Sequence, residues 1–189
     1  MRYLIFFLAL IPLLAMGVVY THAFEFSWFD AAVMWCENAF GAHVPHPLHL
    51  YYYLSVMAGK SALWMLIFAF WISPFYTFVR FDLREFKKLL GGFVIGYALV
   101  HLLFFALAYG FNASALGKAM SHYPFLSFGV GALFILALAP LSKAGYKLLY
   151  LGVVAVMVHL LLGYKTLSME HIIAISLLAT AMALRLIKR

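Results

Sequence analysis

Long apolar runs separated by short polar stretches set the pattern of this chain. Runs at about residues 3–20, 54–78, 89–109, 124–140, 148–164 and 169–187 lie near the roughly 20 residues that a helix needs to cross hydrocarbon. The pattern predicts an all-α integral membrane protein, a six-helix transmembrane bundle forming one domain over residues 1–189. The first run follows Arg2, and Thr21-His22-Ala23 resembles a signal-peptide cleavage site. Its 18 apolar residues, Tyr3 to Tyr20, exceed a signal core of about 7–15, so a retained helix is expected. Between residues 21 and 49, Glu25, Asp30 and Glu37 occur without any Lys or Arg. Phe26, Phe29, Val33, Cys36 and Phe40 recur there near helical spacing. A short amphipathic helix lying at the outer face is the expected result.

Punctuation places the remaining spans. Leu50-Tyr51-Tyr52-Tyr53 supplies an aromatic belt for the headgroup level. Lys60 then interrupts the second span, with its membrane-deep part running from Ser61 to Val79 and Pro74 near the far end. A loop with Gly110, Asn112, Gly117 and Lys118 is expected after the third span. Pro124 suits the first turn of the fourth, which should stop near Ala139-Pro140.

Composition fixes the solvent. The 189 residues are 67% hydrophobic and 10% charged, whereas soluble domains carry about 25% charged residues. Mean hydropathy is +1.03. A net charge of +7 in a soluble protein would suggest nucleic acid; here basic loops on the cytoplasmic side explain it, and no nucleic-acid partner is expected. The single cysteine, Cys36, excludes an intrachain disulfide, a cysteine-ligated iron–sulfur cluster and a C-x-x-C-H haem attachment. Any haem would be of b type.

Charge also predicts orientation. With both termini inside, Arg2, Arg80, Arg84, Lys87, Lys88, Lys143, Lys147, Arg185, Lys188 and Arg189 share the cytoplasmic side. Those are 10 of the 13 basic residues, leaving Lys60, Lys118 and Lys165 outside. All eight histidines then fall near or outward of the bilayer middle.

Two of them repeat. Val100-His101-Leu102-Leu103 and Val158-His159-Leu160-Leu161 lie 13 and 12 positions after Lys88 and Lys147, roughly 18–20 Å along a helix. Two parallel spans would carry these imidazoles at nearly one depth, in the outer half of the bilayer. Intramembrane ionisable residues point to a site, and the matched pair suggests two axial ligands of one haem iron, six-coordinate and low-spin. Gly152, Ala155 and Gly163 form a strip around His159, and Tyr97 and Phe105 flank His101. Such a strip leaves room for a porphyrin or lets helices pack closely.

Other candidates carry less. His43, His46 and His49 have imidazoles suited to Zn, Cu or Ni, or form an ordinary proline-containing loop. Lys60 is a candidate partner for a haem propionate, or snorkels to the headgroups. Arg84, Lys87 and Lys88 could contact a flavin phosphate or an acidic donor protein, or only set topology. No phosphate loop, Rossmann glycine pattern or nucleophile–base set occurs.

Several short motifs recur in one order from Gly59 onwards. They are Gly59-Lys60-Ser61-Ala62-Leu63, Ile72-Ser73-Pro74, Lys87-Lys88-Leu89-Leu90-Gly91 with Tyr97 and His101, Pro124-Phe125-Leu126-Ser127-x-Gly129, and Leu149-Tyr150 through His159. Over about 50–187 this succession resembles the haem-binding membrane subunit of the periplasmic methionine sulfoxide reductase system (the MsrQ/YedZ family), within the ferric-reductase-like transmembrane domains. The resemblance implies an electron-transfer subunit, not the catalyst, in the bacterial inner membrane. It would take electrons from the quinone pool or a cytoplasmic flavin reductase, with FMN as a further cofactor. It would deliver them through haem to a periplasmic molybdopterin methionine sulfoxide reductase. Two departures matter. Tyr146 stands where the family has a histidine, and Tyr123 where it has an arginine. A second, inner haem thereby loses a ligand, and a flavin, a quinol or another haem ligand must cover the inner half of the bilayer. A self-contained ferric or cupric reductase and a histidine-dependent transporter or assembly factor are the alternatives.

Overall fold

In the computed structural model the apolar runs become helices that turn back on one another. The structure describes residues 2–23, 27–41, 45, 47–79, 84–143, 145–163 and 168–187. In chain order the helices are α1 (Arg2–His22), α2 (Ser27–Phe40), α3 (Leu50–Val79), α4 (Arg84–Ala108), α5 (Ala113–His122), α6 (Pro124–Leu138), α7 (Gly145–Gly163) and α8 (Met169–Ile187), with one 3₁₀ turn at Ala139–Leu141. Six stretches are long and apolar enough to cross a membrane: Tyr3–His22, Leu50–Phe75, Glu85–Ala108, Pro124–Leu141, Gly145–Gly163 and Met169–Ile187. The chain is therefore an all-α, multi-pass membrane protein in contact with lipid. Of the positions named above, Glu25, Phe26, His43, His46, Arg80, Lys165, Lys188 and Arg189 lie outside the described residues.

Two elements differ from the sequence expectation. Lys60 does not interrupt α3, which runs unbroken for 30 residues, roughly 45 Å. That exceeds the hydrocarbon thickness, so one end can stand among headgroups while its lysine stays wet. The stretch after α4, expected as a loop, contains α5. Gly110 and Phe111 turn the chain with φ of 60° and 54°, a region glycine adopts freely and phenylalanine rarely does. Asn112 then caps the new helix, its side chain accepting from the Ala115 N–H at 3.1 Å.

Packing pairs the spans into hairpins. α3 lies against α4, and α6 against α7; α8 closes on α3 and α7, α1 on α3 and α4, and α4 touches α6. Leu54, Ala58, Val153, Ala174, Leu178 and Ala181 are fully buried. The fully buried positions of α8 fall at 174, 178 and 181, one helical face, and the small side chains there let backbones approach. Large apolar residues such as Phe7, Phe68, Phe134 and Leu151 point outward, as expected where the solvent is lipid. α2 joins α1 through His22 Nδ1 and Asp30 Oδ1 at 2.8 Å.

Candidate functional site

His101 and His159 each sit on the second helix of a hairpin and reach back to the first. His101 Nδ1 lies 2.7 Å from the Ser55 carbonyl oxygen, and His159 Nδ1 lies 2.7 Å from the Phe125 carbonyl oxygen. A carbonyl has no proton to give, so both Nδ1 atoms carry the hydrogen and donate. The neutral tautomer of each ring then leaves Nε2 with a free lone pair.

A glycine makes each contact feasible. In a helix the carbonyl of residue k points along the axis towards residue k+4, so a donor reaching it must pass over that residue. Four residues after Ser55 is Gly59, where a Cβ would stand 3.0 Å from His101 Nδ1. Four residues after Phe125 is Gly129, where a Cβ would stand 2.8 Å from both Nδ1 and Cε1 of His159. The repeated Val-His-Leu-Leu phrase therefore has a repeated seat, a carbonyl followed four positions later by glycine. Sequence reading assigns Ser55, Gly59, Phe125 and Gly129 no role in holding the rings. The available signal was the four-residue spacing in the helix preceding each histidine.

The two seats are not identical. The Ser55 hydroxyl, in a side chain buried to 2% exposure, donates to the His101 carbonyl at 3.0 Å and lies 3.0 Å from Nδ1. At His159 the Phe125 ring tilts over the imidazole, with centroids 5.7 Å apart.

Neither Nε2 has a protein partner among the described residues. Neither is among the described side-chain atoms that are both fully buried and unpartnered. The two helices that carry the rings, α4 and α7, are not packed on one another; α4 meets α6, the partner of α7. Two neutral imidazoles with Nδ1–H anchored and Nε2 unpartnered have the donor chemistry of metal-binding histidines. No group of three or more His, Cys, Asp or Glu side chains is gathered for a polydentate metal site among the described residues.

The sequence-derived neighbours distribute differently. Gly152 meets Leu136 and Ile135 of α6, and Gly163 meets Phe125. These two glycines therefore serve helix packing and leave no porphyrin slot on their own face. Tyr97 turns to α1, where its hydroxyl donates to the Ala9 carbonyl at 2.7 Å, and Phe105 packs on Tyr109 at 5.0 Å between centroids.

Lys60 follows Gly59 directly and is ion-paired with Glu170 at 2.5 Å. Trp64 Nε1 donates to the other oxygen of that carboxylate at 3.4 Å. A propionate here would have to join or displace this pair. His49 is exposed beside an open cleft of about 350 Å³ that it lines with Pro47, Leu48, Tyr52 and Tyr53. At the other end of the bundle, Arg84 opens α4, Lys87 Nζ donates to Ser73 Oγ at 3.3 Å, and Lys88 pairs loosely with Glu85 at 3.5 Å. Tyr146 is exposed in the first turn of α7, below the Lys147 ammonium at 6.0 Å.

No family model, curated protein or solved structure matches the chain.

Proposed function

We propose that this protein is a b-type haem electron-transfer subunit, with His101 and His159 as the axial ligands. The observation that carries the reading is the duplicated seat: each imidazole anchored through Nδ1 to a backbone carbonyl, over a glycine, with Nε2 left open. Metal-bound histidines are commonly held in this way, because the second-nitrogen bond fixes tautomer and ring orientation and raises ligand basicity.

A bound haem supplies a reversible one-electron couple, set by ligand identity, hydrogen bonding and burial. The chain's own part is positional. Ser55 and Phe125 hold the two rings, and Gly59 and Gly129 let them lie flush. With two imidazoles engaged, no coordination position is left open for oxygen.

On this reading the basic end of the bundle faces the cytoplasm, following the positive-inside distribution, and the membrane is the bacterial inner membrane. Electrons enter from quinol or a cytoplasmic flavin donor. The acceptor is a periplasmic molybdenum-dependent methionine sulfoxide reductase, as the ordered motifs from Gly59 to His159 suggest. Lys60 and Glu170 lie at the histidine end, where a propionate would emerge.

The test is an absorption spectrum with a pyridine haemochrome count on protein purified from haem-replete cells. The expected result is a low-spin Soret band that His101→Ala and His159→Ala each abolish. Protein that stays colourless after haem reconstitution would favour a transporter or assembly factor. Rapid oxidation of the reduced protein by a ferric chelate, without any partner, would favour a self-contained metal reductase.

A further inference from the structure

Pro74 lacks an N–H, so the carbonyl four residues earlier, that of Phe70, loses its helical donor. Arg185, in the last turn of α8, donates through Nη2 to that carbonyl and to the Ala69 carbonyl at 3.4 Å. Its guanidinium lies 4.1 Å from the Phe70 ring centroid, and the Tyr150 hydroxyl accepts from it. Every one of these partners is uncharged, and the buried Nε has no acceptor.

A second cation lies nearby. Lys87, half-buried in the first turn of α4, has the Ser73 hydroxyl as its only described polar contact, one turn along α3 from the Phe70 carbonyl that Arg185 holds. Described ion pairs are His22–Asp30, Lys60–Glu170 and Lys88–Glu85; among the described residues no carboxylate is paired with Lys87 or Arg185. The N-terminal end of α4 adds partial positive charge at the same level. Two like charges withdrawn from water without a counter-charge are costly.

We propose that Lys87 and Arg185, between α3, α4, α7 and α8, bind a phosphate-bearing anion, the headgroup of an anionic lipid. Basic pockets between transmembrane helices on the cytoplasmic side take such headgroups, and Lys87 lies in the first turn of a helix long and apolar enough to cross a membrane. Lys87 precedes His101 by 14 residues, roughly 21 Å along the helix. The site is therefore separate from the imidazoles and holds whether or not they bind a metal.

The test is thermal unfolding of the full chain in neutral detergent with added phosphatidylglycerol or phosphatidylcholine, or with inorganic phosphate or FMN. Phosphatidylglycerol should raise Tm by about 3 °C or more over phosphatidylcholine. Lys87→Gln should lose at least half of that gain, while Lys87→Arg and the exposed-loop variant Lys143→Gln retain it. An equal gain from millimolar phosphate or FMN, competing with the lipid and lost in Lys87→Gln, would keep the phosphate site and assign it to a soluble ligand. An undiminished gain in Lys87→Gln, a loss as complete in Lys87→Arg, or no gain from any phosphate compound would overturn the proposal.

Discussion

Arg185 completes a helix to which it does not belong: its guanidinium supplies the Phe70 carbonyl with the donor that Pro74 lacks. An orphaned backbone carbonyl has no water to turn to inside a bilayer, and an arginine from α8 is the substitute. Arg185→Gln should therefore destabilise the protein by about 1–3 kcal/mol. Pro74→Ala restores an N–H opposite Phe70, so the same Arg185 substitution should cost clearly less in that background. A double-mutant cycle on unfolding in detergent measures the coupling. Equal costs in the two backgrounds would show that Arg185 matters for another reason.

In α1 a tyrosine sits between two backbone groups one position past those that a proline disrupts. Pro12 lies inside α1, and the Tyr97 hydroxyl accepts from the Leu13 N–H at 3.0 Å while donating to the Ala9 carbonyl. Those two backbone groups are the pair that an unkinked helix would join directly. Tyr97→Phe removes both contacts and should cost about 1–2 kcal/mol, with the gap between α1 and α4 opening first. Faster proteolysis or hydrogen exchange confined to α1 is the expected signature. Uniform loss of protection over all helices would contradict it.

How far the sequence reached can be judged from these residues. Run lengths and the positions of Lys and Arg suffice for six spans, because a bilayer demands closed backbone hydrogen bonding and a fixed length. The short helix α2 was legible from the spacing of Phe29, Val33 and Cys36. α5 was not, because Gly110 and Gly117 outweighed the Asn112 cap and the helix-forming Ala113–Leu116 stretch. The histidine pair stood out by repetition. Its seats did not, since a carbonyl acceptor has no residue identity and Gly59 and Gly129 look like any packing glycine in a membrane helix. Gly152 and Gly163 drew attention through closeness in sequence to His159, yet they face α6 (Gly152 also nearest Leu136 and Ile135). The backbone partners of Tyr97 and Arg185 lie more than 80 residues away, beyond any periodicity.

Lys60 and Glu170 join α3 to α8 with side chains 46% and 33% exposed. A pair so open to solvent contributes at most about 1 kcal/mol. Glu170→Gln should thus change Tm by only a few degrees. If Lys60 also neutralises a propionate, freeing it from Glu170 should raise the haem potential, and Lys60→Gln should lower it. A redox titration of the two variants reads the opposite signs. Identical potentials would remove Lys60 from the haem's surroundings.

The two ring seats predict an ordered response to one methyl group. A Cβ at Gly129 would meet the His159 ring at 2.8 Å, closer than the 3.0 Å at Gly59 and His101, and real Cβ atoms essentially never approach under 3.0 Å. In Gly129→Ala the imidazole must leave the Phe125 carbonyl or push α6 from α7. Overpacking of this kind costs about 1–3 kcal/mol. In Gly59→Ala a displacement of a few tenths of an ångström is enough, and the Ser55 hydroxyl still ties α3 to the His101 carbonyl. Gly129→Ala should consequently lose more stability, and in haem-loaded protein its axial ligation should be the more disturbed, seen as a larger high-spin fraction by electron paramagnetic resonance. Gly131→Ala, where a Cβ meets nothing within 4 Å, is the matched control on the same helix and should leave both readings unchanged. If Gly59→Ala proves the more damaging of the two, the histidines are not seated against these glycines, and the ligand geometry proposed for them fails with that contact.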